Sequence, residues 1–178
     1  METNIAILRG INVSGHKLIK MQDLKNLLVE LNFSNVNTYI QSGNVVFQCK
    51  KTDTKKLSKQ IEEAVQKKYE FEVPVITRTI AEFITAANAN PFLKQNNIEL
   101  EKLHLTFLSD IPDKAIAAKI ADLDYYPDKF YIVNREIYLY CPNGYGNTKL
   151  NNNFFEKKLE TSATTRNLKT ITELITIA

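Results

Sequence analysis

"NVNTYIQSGNVVFQC" (residues 35–49) is made of two runs of alternating apolar and polar residues joined through Ser42 and Gly43. Two such runs around a turn dipeptide predict a β-hairpin. Upstream, "NIAILR" (residues 4–9) reads as a strand, and Met21, Leu24, Leu27, Leu28 and Leu31 recur at the spacing of one helical face. Downstream, Asp53 or Thr54 stands where a helix cap belongs, ahead of a stripe formed by Leu57, Ile61, Ala64, Val65 and Tyr69. "VPVITR" (residues 73–78) follows as a fourth strand. The order βαββαβ is the split-βαβ arrangement of ferredoxin-like folds.

The rest of the chain reads as a looser copy. A helix carrying Ile80, Phe83, Ile84 and Ala87 stops at Asn90-Pro91, because a residue before proline avoids helical geometry. "KLHLTFL" (residues 102–108) is a strand, and "PDKAIAAKIADL" (residues 112–123) places a proline where a first helical turn accepts one. "KFYIV" and "EIYLYC" form a hairpin about Asn134-Arg135, and two carboxy-terminal helices are expected around "NFFEKKL" and "LKTITELITIA". The fold class is therefore α+β. Residues 1–78 form one ferredoxin-like half with a glycine loop, and residues 79–178 a second half with the carboxy-terminal helices. The halves meet near residues 79–100 without a flexible linker, and their aromatic-rich sheets predict that they pack together.

Composition bounds the function classes. A chain of 178 residues, 44% hydrophobic and 24% charged, supplies an ordinary globular core. Its start, "METNIAIL", lacks the basic and apolar regions of a signal peptide, and no apolar run has the length of a membrane span. A cytoplasmic protein with no membrane partner is expected, with Cys49 and Cys141 as buried thiols at the ends of apolar strands. The net charge of +3 permits an anionic ligand without demanding nucleic acid. Lysine greatly outnumbers arginine, which occurs only at 9, 78, 135 and 166. Such a bias reserves the planar guanidinium fork for places that need it.

The glycines fall in three places: Gly10 and Gly15 in "RGINVSGHK", Gly43 in the hairpin, and Gly144 and Gly146 in "CPNGYGNTKL". In a split βαβ unit the loop after strand one and the hairpin emerge at the same sheet end. That topology predicts Arg9 near Asn44, with Gly10, Asn12, Gly15, Lys17, Gln41 and Ser42 around the same rim. Backbone approach at glycine, cations and amides together suit an anion. The "NGYGNTKL" turn precedes a helix, and "ETSATTRNLK" reads as hydroxyl-rich capping at the start of the last helix. Lys149, Arg166 and Asn167 in these segments are expected to complete the ligand-binding set, with Lys149 or Arg166 approaching the opening loop.

Four segments, "LRGINVSGHKLIKM", "NVNTYIQSGNVVF", "GYGNTKLNNNFFEKKL" and "TTRNLKTITEL", resemble a bacterial family, domain of unknown function 1697, in the family's order and over nearly the whole chain. Ser14 stands where that family is expected to have a second glycine, and Leu168 where it has an aromatic residue. The resemblance implies a two-part α/β fold of ferredoxin-like character. It brings no activity, cofactor or catalytic residue.

Of the chemical classes, metal binding is disfavoured because His16 and His104 lie on different elements and no Cys/His set has ligand spacing. Nucleophile-elbow, dinucleotide and phosphate-loop motifs are absent, as is the aromatic signature of an RNA-recognition sheet. No cofactor or catalytic group is assigned. The reading is a protein that binds a phosphate-bearing or other anionic ligand at the glycine loop, a small molecule ahead of a nucleic-acid backbone. Its alternatives are an enzyme on a phosphorylated or carboxylated metabolite, with His16 or Lys17 as acid–base, and a non-catalytic interaction scaffold.

Overall fold

The computed structural model describes residues 1–178. Contacts divide the chain into two compact units, Met1–Thr85 with Thr172–Ala178, and Ala86–Ile171. The division falls between Thr85 and Ala86, inside a helix, whereas the sequence reading put the boundary at residue 78.

The first unit follows the expected order. Strand β1 (Glu2–Leu8), helix α1 (Met21–Glu30), the hairpin β2 (Ser34–Tyr39) and β3 (Asn44–Cys49), helix α2 (Thr54–Tyr69) and strand β4 (Val75–Thr79) lead into α3 (Ile80–Asn88). The sheet is antiparallel throughout, in the order β2-β3-β1-β4. Alternate residues of its two inner strands, Ala6, Leu8, Val45 and Phe47, form one core with Leu24, Leu27 and Leu28 of α1 and Leu57, Ile61 and Val65 of α2. Phe33 stacks on Phe47 with ring centres 4.5 Å apart. Asp53, rather than Thr54, caps α2 by accepting from the amides of Lys55 and Lys56.

The second unit repeats the topology with β5 (Leu103–Leu108), α4 (Lys114–Ala121), β6 (Lys129–Val133), β7 (Glu136–Tyr140), α5 (Asn152–Leu159) and β8 (Ala163–Asn167), which leads into α6 (Leu168–Thr176), a helix whose residues from Thr172 onward belong to the first unit. Its sheet order is β6-β7-β5-β8, again all antiparallel. Two details differ from the sequence reading. Pro112 stands before the helix rather than in its first turn, because the Asp113 carboxylate takes the cap and accepts from Ala115 and Ile116. The hydroxyls of "SATTRN" do not cap: Ala163–Asn167 is the edge strand β8, whose threonines sit in extended backbone, where β-branched side chains are favoured, and only Asn167 at its end caps the next helix. Thus α5 and α6, the two expected carboxy-terminal helices, are separated by the strand that completes the second sheet.

The repetition extends to individual side chains. Glu62 Oε1 of α2 accepts from the Val75 amide at the start of β4 (2.8 Å), as Glu156 Oε1 of α5 accepts from Ala163 at the start of β8 (2.9 Å). Ser58 donates to Thr77 in one unit, and Thr165 donates to Asn152 in the other. Arg78 pairs across from Ile5 of the central β1, and Arg166 across from Leu105 of the central β5. Both edge strands then run into a capped helix, through Thr79 with Glu82 and through Asn167 with Thr170. Each helix-borne carboxylate holds the start of its edge strand. Burial is the main force that raises the Glu62 carboxyl above its ordinary pKa.

Glu62→Ala and Glu156→Ala each strand a half-buried amide, so each should cost about 1–3 kcal/mol in urea unfolding. Equal and small losses for both, within the noise of surface substitutions, would show that the carboxylates do not hold the strands.

Candidate functional site

The end of β1 gathers three segments. Ile7 pairs with Asn44, the Leu8 amide donates to the Gly43 carbonyl (2.8 Å), and the Arg9 amide donates to Pro74 ahead of β4 (2.9 Å). The loop after β1 therefore leaves the sheet between the β2–β3 turn and the α2–β4 connection. Arg9 and Asn44, with Gly10 and Gly43, share this edge, as the topology predicted. The third segment escaped the sequence reading, although the same rule points to it: β4 is antiparallel to β1, so its start lies at β1's end.

Asn12 is the staple of the loop. Its side-chain amide donates to Ile19 O (2.9 Å) and Gln41 O (2.7 Å), and its carbonyl accepts from the Ile19 amide (2.8 Å). The backbone closes on itself through Asn12 to Lys17 and His16 to Val13. Lys17 reaches across to the Glu72 carbonyl at 2.6 Å. Asn44 is fully buried and donates to Tyr39 O and Ser42 Oγ, so it locks the hairpin turn. Gly10, Asn12, Ser14, Gly15 and Lys17 all have positive φ between 48° and 76°. Gly10 and Asn12 alternate with ordinary residues, the pattern of anion-holding nests, whereas Ser14 and Gly15 are the two central residues of the turn closed by His16 N and Val13 O.

Only Gly43 is a packing requirement. A Cβ there would lie 2.7 Å from Leu8 Cβ and 2.8 Å from Ile11 Cδ1, whereas Cβ atoms at Gly10 and Gly15 would meet nothing within 4 Å. The exposed surface of the loop carries His16, Lys17 and Lys20 together with Val13 and Leu18, and Ile40 is exposed on the hairpin turn.

The remaining predicted residues belong to the second unit. Lys149 is exposed and lines a groove of about 330 Å³ with Asp124, Tyr126, Asp128 and Asn147. The "NGYGNTKL" turn contains a short 3₁₀ segment, Tyr145–Asn147; Thr148 donates to the Asp128 carboxylate at 2.6 Å, and Asn151 caps α5 through the Phe154 amide. That helix start is thus already capped and has a carboxylate nearby. Arg166 is desolvated in β8, which pulls its guanidinium down to about 10, still charged at neutral pH; it donates to Thr164 Oγ1 and Thr165 O. Asn167 is the amino-terminal cap of α6. His104 sits in β5 with Nδ1 3.2 Å from Lys102 O, and its ring stacks on Tyr145 at 4.9 Å. Cys49 and Cys141 are free and buried, and burial pushes the Cys141 thiol up to about 11.

A family model, described as a protein of unknown function (DUF1697), matches residues 1–138. The chain belongs to this family. Among solved structures it is similar to a conserved bacterial protein of Streptococcus pneumoniae, SP0830, with a TM-score of 0.78 at 20% identity, covering 99% of this chain and 98% of that one. At that identity the likeness is one of fold. No curated protein matches the chain. DUF1697 membership spans the glycine loop, the hairpin and the second sheet as far as β7, and no helix of the chain is long and apolar enough to cross a membrane.

Both glycines have positive φ, so each alanine should cost about 1 kcal/mol for backbone conformation, and Gly43→Ala should add about 1–3 kcal/mol of overpacking that Gly15→Ala lacks. Equal melting temperatures for the two variants would refute the close approach at Gly43.

Burial lowers the His104 pKa, so the folded state resists protonation. The sign follows: its contribution is complete above the unfolded value near 6.5 and is lost as pH falls through the folded value. His104→Phe, which keeps the ring stack, should lose less stability than wild type between neutral and mildly acidic pH, read from urea midpoints.

Proposed function

We propose that this DUF1697 chain is a cytoplasmic binding protein for a phosphate-bearing or similarly anionic small molecule, held at the rim of the 9–20 loop. The observation that carries the reading is the Asn12 staple: three hydrogen bonds hold the loop rigidly against the hairpin and its own return segment. A loop held this way meets its ligand without first paying the entropy of ordering. Asn12 and Asn44 are then scaffold, and recognition falls to the loop amides around Gly10, Ser14 and Gly15 and to Arg9, Lys17 and His16. Lys17 donates a hydrogen bond to Glu72 O, which tethers its side chain at the rim and supports a binding role. The buried, unpaired cysteines fit a reducing compartment.

A second reading has its own observation. Val13, Leu18 and Ile40 are each more than half exposed at the same end of the sheet, which favours a protein-docking surface.

Calorimetric titration with inorganic phosphate, nucleotides and short oligonucleotides separates these readings. Arg9→Lys keeps the charge but loses the planar fork, so anion affinity should fall about tenfold or more, the worth of a charge-assisted hydrogen bond. The melting temperature should stay near wild type. No heat with any of these anions would end the anion reading, and unchanged affinity with a lowered melting temperature would make Arg9 structural.

A further inference from the structure

The second sheet ends in an open edge. In the order β6-β7-β5-β8, strand β6 has one neighbour, and two of its side chains are partly accessible: Val133 is 40% exposed, and Tyr131 is 43% exposed with its ring against Phe92 and its hydroxyl accepting from Gln95. The two-residue turn Asn134-Arg135 makes Val133 and Glu136 the first pair of the hairpin. Such a turn closes with a hydrogen bond between its flanking residues, and bonded pairs then alternate. Lys129, Tyr131 and Val133 therefore spend their main-chain groups on β7, while those of Phe130 and Ile132 point away from the sheet. Beside this edge, α4 and β6 bound a groove of about 300 Å³ lined by Ile111, Pro112, Ala117 and Ile132 together with Lys114 and Asn134. Ile111 is 66% exposed.

We propose that β6 pairs antiparallel with β6 of a second copy of this chain, about a two-fold axis at Tyr131. The strand is its own complement in this register. The outward groups of Phe130 meet those of Ile132 of the other copy, a bonded pair on each side of the axis, so the hydrogen-bond parity of the hairpin is respected. Tyr131 faces Tyr131 in a non-bonded pair, where side chains come closest and aromatic pairs are favourable. The charge pattern agrees. Lys129, the kind of residue that blunts an edge against indiscriminate pairing, faces Val133 and not its own copy. A shift of the register by two residues would set Lys129 against Tyr131 and lose a bonded pair. The contact is isologous, so it closes at two copies. It joins two four-stranded sheets into one of eight and brings Ile111 and the groove under cover. It is independent of the anion site, which lies in the first unit.

Sedimentation equilibrium over a wide concentration range tests this with two substitutions at one exposed position. Val133→Lys sets like charges directly opposite on both sides of the axis and should weaken the dimer about fivefold; Val133→Glu sets a carboxylate opposite Lys129 and should tighten it about as much. The monomer's melting temperature should move the other way, because residue 133 also faces Glu136 on β7: Val133→Lys should hold or slightly raise it and Val133→Glu should slightly lower it. A wild-type chain that stays monomeric throughout overturns the proposal. So does a dimer that responds to neither substitution, or to both in the same direction.

Discussion

The hydrogen bond from the Leu8 amide to the Gly43 carbonyl, 2.8 Å long, holds the candidate site together. It is the last rung between β1 and the hairpin, and it forms only because residue 43 has no side chain: Leu8 and Ile11 occupy the space a Cβ would need. Once this rung is fixed, Ile11 enters the core, Asn12 arrives within reach of Gln41, and the loop that follows has a definite place to return to at Ile19. Hydrophobic burial supplies most of the driving force for the sheet. The rung decides where the irregular backbone begins.

The same device serves both units. A helix-borne glutamate closes the start of β4 and of β8, and an arginine lies across from an apolar residue of each central strand, Arg78 buried and Arg166 half-buried. Burying a guanidinium is costly unless its donors are satisfied, and here strand carbonyls and threonine hydroxyls accept from it. Arg78 and Arg166 are thus explained by the scaffold. Arg9 is half-buried at the end of β1, beside the loop.

A polar residue at a loop rim has two demands on it, and geometry decides which is met. Asn12, Asn44 and Asn167 spend their side chains on the backbone, because a loop in left-handed conformation and a helix start both leave amides and carbonyls without ladder partners. Lys17 is intermediate, tethered by one proton with the rest of its ammonium facing outward. An anion at this rim would therefore meet backbone and cations, with the carboxamides standing behind them.

The sequence alone determined the first unit and the meeting of the glycine loop with the hairpin. Period-two and helical spacings are local properties of the chain, and the split-βαβ order leaves one sheet end for both turns. It also marked His104 as a strand residue and the cysteines as buried. Tertiary structure alone decided the rest. Strand β8 was hidden in "SATTRN" because threonine serves equally as cap and as edge-strand residue, and only pairing with β5 selects the second. The surroundings of "NGYGNTKL" are likewise known only from the structure, which sets Thr148 against the Asp128 carboxylate. The division of asparagines and arginines between scaffold and rim follows from which backbone groups were left unpaired, and those are known only when distant strands have come together.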